Sequence, residues 1–445
     1  MKSLLFYVCL VLIHDTEAND ECFDPAVQLL QQYVQINTTS GSDQTQAIRF
    51  WYKLAEKQNA TFSTYNYTKD YPIVTIRWKG KDPSLSSIIL VSHIDVVPVA
   101  DESKWKYPPF SGIIKDDYLY GRGTQDCKSV SIQYYEAMKQ LSQQKIKLQR
   151  DVILVLFTDH EQGVTFDGIR CLIENEKYSS VPIGGGIDEG VSYTSNNLLL
   201  FYQDKALLVL DVECYGIETH GSLMPDSNKT AIGQCAKVIN SLQEYRDEQV
   251  EYMKKLAIND TSSFTSINLN RLEGSLIDNV LPGRVTLRYY INPSVTSTPV
   301  EVFDEIQERI DKIGGNIELT VVRSVEKSPA VVTDKKNPFY EAISDAAKTT
   351  KFSFDTTVTF DQTNAGGFRK FGIPVLGFSP LPRTKFLVHG INENIEISKF
   401  LNGIPLYKKS IQNLANLSKK QVSQDSSIYL DGYDDKVNKC KKCPK

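Results

Sequence analysis

A chain of 445 residues is long for one domain and suggests two. With 41% hydrophobic and 23% charged residues, its composition is ordinary for a soluble globular protein with substantial cores. The formal net charge of −4 leaves no basic footprint for nucleic acid, which is excluded as an expected partner.

Lys2 precedes an apolar run from Leu4 to Ile13, followed by polar residues and the small Ala18. This is the layout of a secretory signal peptide over residues 1–18. The run is too short to span a membrane comfortably, although an uncleaved anchor is the alternative. No later stretch reads as transmembrane, so the expected location is extracellular, with no membrane anchor. Asn-x-Ser/Thr sequons at Asn37, Asn59, Asn66, Asn228, Asn259 and Asn416 agree with a secreted glycoprotein. Of eight cysteines, Cys9 falls in the signal and an odd number remain. Cys440 and Cys443 lack the second pair a structural zinc site needs, so a disulfide, for instance to Cys22, is the more economical expectation.

Apolar residues at helical spacing (Val27, Leu30, Val34) predict a helix over Ala26–Ile36, and a second amphipathic helix follows over about Gln44–Gln58. Strands are expected around Thr61–Tyr67 and Ile73–Trp78. The run Ile88-Ile89-Leu90-Val91 reads as a buried parallel strand. It leads into Ser92-His93-Ile94-Asp95, where residues two apart share a face, so His93 and Asp95 emerge together at the carboxyl end. Open α/β sheets place their ligands there.

The loop Gly121-Arg122-Gly123-Thr124-Gln125-Asp126-Cys127-Lys128 precedes a helix with Val130, Tyr134, Ala137, Met138 and Leu141 on one face. The apolar strand Val152–Phe157 ends in Thr158-Asp159-His160-Glu161-Gln162-Gly163. A glycine run, Gly184-Gly185-Gly186, reads as a turn leading to Ile187-Asp188-Glu189-Gly190. The alternation predicts an α/β fold with a mixed, mainly parallel sheet, covering residues 19–206 and 326–422 as one discontinuous domain.

From Leu207 the order becomes strand (Leu207–Thr219), helix (Ala231–Tyr245), strand (Ser263–Leu272), strand (Arg284–Asn292), helix (Val300–Ile313), strand (Asn316–Val325). This is the ferredoxin-like split unit, an α+β domain inserted over residues 207–325. The α/β pattern then returns with a helix at Asn337–Thr349, a strand at Val375–Phe378 and a helix from Ile395 to Leu417. Residues 423–445 read as a loose polar tail.

Pooling the residues at the strand ends gives His93, Asp126, Glu161, Asp188 or Glu189, and His389. Each acid alone reads equally well as a helix cap or a solvated loop. Two of only five histidines in motifs of this kind argue otherwise. They suit a pair of zinc ions, each needing roughly four N/O ligands. A carboxylate such as Asp126 could bridge two metals roughly 3.5–4 Å apart.

Ser-His-x-Asp-Val-Val-Pro-Val, Gly-Arg-Gly-x-Gln-Asp-x-Lys, the Asp-x-Glu after an apolar strand, Asp-Glu-Gly, and Leu-Gly-Phe-Ser-Pro with the late His389 resemble the zinc aminoacylases. These belong to a larger group of related carboxypeptidases and deacylases. The likeness runs from about Pro25 to Leu417. It implies an amidohydrolase acting on N-acyl amino acids or short peptides, with two zinc ions per subunit and an inserted lid through which it forms a homodimer. It further implies one zinc on His93, Asp126 and Glu189 (or Asp188) and another on Asp126, Glu161 and His389, with Asp95 orienting His93. His220 would reach a partner subunit's site and stabilise the oxyanion, and Asn279 would contact substrate.

The resemblance breaks at two functional positions. The family's general base is a glutamate where this chain has His160. Its carboxylate-binding arginine falls where this chain has Gly366, with Arg369 nearby in sequence. The second of the family's paired glycines is Val164. Two functions are therefore expected as alternatives: an active hydrolase using His160 as base, or a metal-retaining secreted pseudoenzyme acting as a binding protein.

Overall fold

The structure is a computed structural model and describes residues 23–66, 71–163, 166–174, 182–274, 277–422 and 429. The expected signal peptide and the cysteines Cys22, Cys440 and Cys443 lie outside the described residues. Among the described residues, no helix is long and apolar enough to cross a membrane.

The large sheet has eight strands. From edge to edge they are Thr61–Asn66, Pro72–Trp78, Val152–Phe157, Ser87–His93, Ile183–Asp188, Val375–Gly377, Leu198–Asp204 and Phe354–Thr359. Ser87–His93 pairs in parallel with both its neighbours, and the sheet is mixed but mainly parallel. The strand Ser87–His93 is buried along its whole length because helices cover both faces. Ile88 and Leu90 face the core shared with the helices Lys128–Gln143 and Ile397–Leu414. Ile89 and Val91 face the other way, onto Ile169, Leu172 and Phe368. A strand sandwiched so has no polar face, hence the unbroken apolar run.

Leu207–Val325 forms a separate four-stranded antiparallel sheet in the order Ser266–Glu273, Arg284–Asn292, Leu207–Tyr215, Ile317–Val325. The helices Ala231–Met253 and Pro299–Ile313 pack Val238, Leu242, Val302 and Ile306 on one face of it. A capping box of Thr298 and Glu301 starts the second helix. Cys214 and Cys235 are joined in a disulfide that ties the first strand to the first helix, and Cys171 is also disulfide-bonded.

One expectation needs correction. Gly184-Gly185-Gly186 is not a turn but part of the buried central strand Ile183–Asp188. Glycine is required there by crowding: a Cβ on Gly186 would fall 2.1 Å from the Ile89 carbonyl oxygen, and one on Gly185 2.3 Å from Phe339. Gly186→Ala should therefore destabilise the protein by about 1–3 kcal/mol, seen as a lower denaturation midpoint; an unchanged midpoint would contradict this close approach. Of the expected tail only Tyr429 is among the described residues; it is buried and bridges to Val331.

Candidate metal centre

The carboxyl ends of the central strands, and the loops after them, bring five predicted residues into two groups that share one carboxylate. In the first group, His93 Nε2 lies 3.0 Å from Asp126 Oδ1 and 3.3 Å from Glu189 Oε1. In the second, His389 Nε2 lies 3.1 Å from Asp126 Oδ2 and 3.0 Å from Glu161 Oε2. The two oxygens of Asp126 thus face different histidines. Asp188 does not compete with Glu189, because its carboxylate accepts the N–H groups of Ala365 (2.6 Å) and Glu189 (2.9 Å).

His93 is aimed by Asp95, though not as expected. Its Nδ1 lies 2.7 Å from the Asp95 backbone carbonyl and 3.6 Å from the Asp95 carboxylate. A carbonyl only accepts, so Nδ1 carries a proton, and Nε2 is the ring atom that faces the cluster. The Asp95 carboxylate does a different job. It accepts the backbone N–H groups of His160 and Glu161 (both 3.0 Å) and the Ser40 hydroxyl (2.7 Å), fixing the turn that presents Glu161.

Burial pushes the carboxyl of Glu189 well above its ordinary range. Burial and the neighbouring Asp126 raise Glu161 in the same direction. Burial would also raise Asp126, but hydrogen bonds from His389 and His93 outweigh it and hold that group low. His389 would be lowered by burial, yet Asp126 and Glu161 pull it up to about 10. Among the described residues, the buried oxygens Oε1 of Glu161 and Oε2 of Glu189 find no hydrogen-bond partner. Converging carboxyl and imidazole groups, with two carboxyl oxygens left unpartnered, are a donor set that divalent zinc takes up as it displaces their protons, so the residues fit such an ion. Cys127 Sγ lies close enough to join the first group. Burial pushes its thiol up, and Ser92 Oγ sits 2.8 Å away, so it stays protonated.

One organising residue was missed from the sequence. Glu393 is fully buried and accepts the N–H groups of Gly123 (2.9 Å), Gln125 (2.7 Å) and Asp126 (3.2 Å). It also pairs with Arg122 at 2.9 Å, and Arg122 in turn donates to the carbonyls of His389 and Gly390. The loops carrying Asp126 and His389 are thereby locked together. Its only sequence hint was an acid closing the segment that holds His389. Glu393→Ala strands a buried guanidinium and three N–H groups, so it should cost about 3–5 kcal/mol, measurable by chemical denaturation; a loss under about 1 kcal/mol would contradict the role.

The cluster forms the floor of a cavity of about 320 Å³ whose walls include Phe201, Phe360, Phe386, Leu207 and Val388. His160 lines it too, with its ring stacked on His93 at 4.4 Å and its Nε2 3.9 Å from Glu189. Burial, then the neighbouring His93, lowers His160 to about 4. Gly366 is buried in the short helix Asn364–Arg369, and a Cβ there would fall 1.8 Å from Asp204 Oδ2. Arg369 is fully buried, pairs with Asp204 and donates to the Val375 carbonyl at 2.8 Å. It does not replace the missing arginine. His220 and Asn279 are exposed neighbours across the pairing of Thr219–His220 with Val280–Leu281. Neither lines the cavity of this chain.

The mixed α/β sheet, its inserted antiparallel unit and the shared-carboxylate cluster together define a metallohydrolase-type scaffold. The chain belongs to peptidase family M20/M25/M40, whose family model matches residues 89–413. It is 29% identical to aminoacylase-1B of Rattus norvegicus over 397 residues, covering 88% of this chain and 96% of the relative. Against aminoacylase-1 of Homo sapiens the identity is 28%, with the same coverage. Among solved structures, human carnosine dipeptidase 1 shares the fold with a TM-score of 0.71 at 16% identity, covering 88% of this chain and 96% of that one. A metallo-carboxypeptidase of the same family from Sulfolobus solfataricus matches with a TM-score of 0.69 at 18% identity, covering 88% and 100%.

Proposed function

We propose that this chain is a secreted, zinc-dependent amidohydrolase of the aminoacylase type, hydrolysing N-acyl amino acids or short peptides as a homodimer with two zinc ions per subunit. The observation that carries this reading is the single carboxylate of Asp126 shared between His93 and His389 at the floor of an apolar-walled cavity. His93, Asp126 and Glu189 would hold one zinc, and Asp126, Glu161 and His389 the other. Bound there, the metal pair supplies Lewis acidity and an acidified water.

His160, which lines the cavity with Nε2 3.9 Å from Glu189, would take the proton from the attacking water and return it to the departing amine. Its ring is neutral at pH 7, so it can accept a proton. Its pKa of about 4 makes it a weak acceptor, and nearby dications would weaken it further. Turnover is therefore expected to be slow. His220 and Asn279 serve the site of a second copy, across the inserted domain.

Secretion is supported by the Cys214–Cys235 disulfide, which suits an oxidising compartment, and by exposed sequon asparagines at 37, 59, 66, 228 and 416. The alternative, a metal-retaining binding protein, is favoured by one observation: the packing of Asp204 leaves no room for a side chain at Gly366.

The test is release of free amino acid from a panel of N-acetyl amino acids and dipeptides by zinc-loaded protein, with and without chelator. Release that stops on chelation supports the hydrolase. No release from protein carrying its zinc would assign the binding role.

A further inference from the structure

We infer that Cys127 is a fourth protein ligand of the metal held by His93, Asp126 and Glu189, so that this ion is enclosed by the protein and the ion on Asp126, Glu161 and His389 is the one open to the cavity. The inference rests on the metal-pair reading and not on hydrolysis.

The sulfur is placed for this role. Cys127 Sγ and the ligand atoms of His93, Asp126 and Glu189 all lie within 4.8 Å of one another. A tetrahedral ion with N, O and S ligands at about 2.0–2.3 Å holds those atoms roughly 3.5 Å apart, so an ion gathers the four by drawing them slightly inward. Cys127 is 1% exposed and Glu189 8%, and Glu189 Oε2 is one of the unpartnered buried oxygens. Groups able to donate surround the sulfur. The His93 backbone N–H points at Sγ from 3.4 Å. The Ser92 hydroxyl is 2.8 Å away, with the Ser131 hydroxyl 2.8 Å behind it. Such donors orient a metal-bound thiolate and spread its charge. The thiol holds its proton until a metal takes the sulfur: as the sulfur–metal bond forms, the S–H bond breaks and the proton goes to solvent.

The two ligand groups differ in enclosure. The His93 side chain is 0% exposed and that of His389 53%. Asp126, Glu161 and His389 all line the cavity, whereas His93 and Cys127 lie behind it. Four protein donors complete a tetrahedral shell, the closed pattern of a structural ion, while three leave a position for a ligand. The buried ion therefore braces the loop that carries Asp126, and the exposed ion meets whatever enters the cavity. A thiolate also turns the buried site toward thiophilic ions.

The experiment titrates full-length, chelator-stripped wild type and Cys127→Ser with Co2+ and follows the near-ultraviolet absorption of sulfur-to-cobalt charge transfer. In wild type this absorption should grow with one equivalent of cobalt and stay level as the other binds. Cys127→Ser, verified as folded by thermal melts, should lack it and should bind cobalt at the buried site at least roughly tenfold more weakly. Zinc-edge X-ray absorption of the wild type decides the matter even where the variant does not fold. It should show a sulfur at about 2.3 Å, one shared over the zinc pair. No sulfur signal from metal-loaded wild type, or a signal that survives in Cys127→Ser, overturns the assignment. Turnover without a sulfur signal would leave the hydrolase reading standing and Cys127 excluded. A sulfur signal without turnover would support Cys127 and count against hydrolysis.

Discussion

Asp126→Ala is expected to abolish tight zinc binding and to lower kcat/KM by at least about 10³-fold. The reason is geometric. Asp126 is the one residue common to both ligand groups, with Oδ1 facing His93 and Oδ2 facing His389. Removing Glu189 or Glu161 weakens one group, whereas removing Asp126 takes a ligand from both and unlinks them. A folding readout separates metal loss from collapse of the protein. Each zinc site at about a hundred times its Kd stabilises the folded state by about 2.7 kcal/mol, so wild type should melt measurably higher with zinc than with chelator. Asp126→Ala should melt at nearly the same temperature in both. A zinc-induced rise equal to wild type's would show that Asp126 is no bridge.

The second large effect runs the other way. His160→Glu is expected to raise kcat of the zinc-loaded protein by roughly 10²-fold, within the range a positioned base contributes. His160 is held neutral by burial and by the stacked His93 ring, with its pKa lowered to about 4. A proton acceptor that weak takes a proton from water reluctantly. The turn that carries it is otherwise intact, since Asp95 holds the backbone N–H groups of both His160 and Glu161. A glutamate placed on that turn inherits a finished scaffold. His160→Ala should reduce the residual rate further. A fall in activity on His160→Glu, with zinc content unchanged, would show that the imidazole is the better base in this cavity.

How far the sequence could be read depended on whether a residue's role is decided locally or across the fold. His93, Asp126, Glu161, Glu189 and His389 were legible because each stands in a short motif, most of them beside an apolar strand, where topology alone carries it to the sheet's carboxyl edge. The inserted unit was legible because its half-exposed strands and amphipathic helices have distinct periods.

The glycine run at 184–186 was misread because local composition says turn. What decides the matter is the carbonyl of Ile89 on the neighbouring strand, about a hundred residues earlier. The strand Phe354–Thr359 was passed over because it is rich in threonine. Its hydroxyls are satisfied only in the fold, with Thr357 donating to the Asn259 carbonyl and Thr359 bonded to Asp204. That the Asp95 backbone carbonyl accepts the hydrogen bond from His93 Nδ1 is likewise invisible in a one-letter string. So is Glu393, whose partners at Gly123, Gln125 and Asp126 lie far away in the chain.

A paired metal site built on one shared carboxylate can be tested by counting the metal it holds. Full-length protein, dialysed against zinc and then freed of excess, should carry two zinc ions per chain by native mass spectrometry, with Asp126→Ala retaining none tightly. Fewer than one zinc per chain in wild type, or two retained by Asp126→Ala, would contradict it.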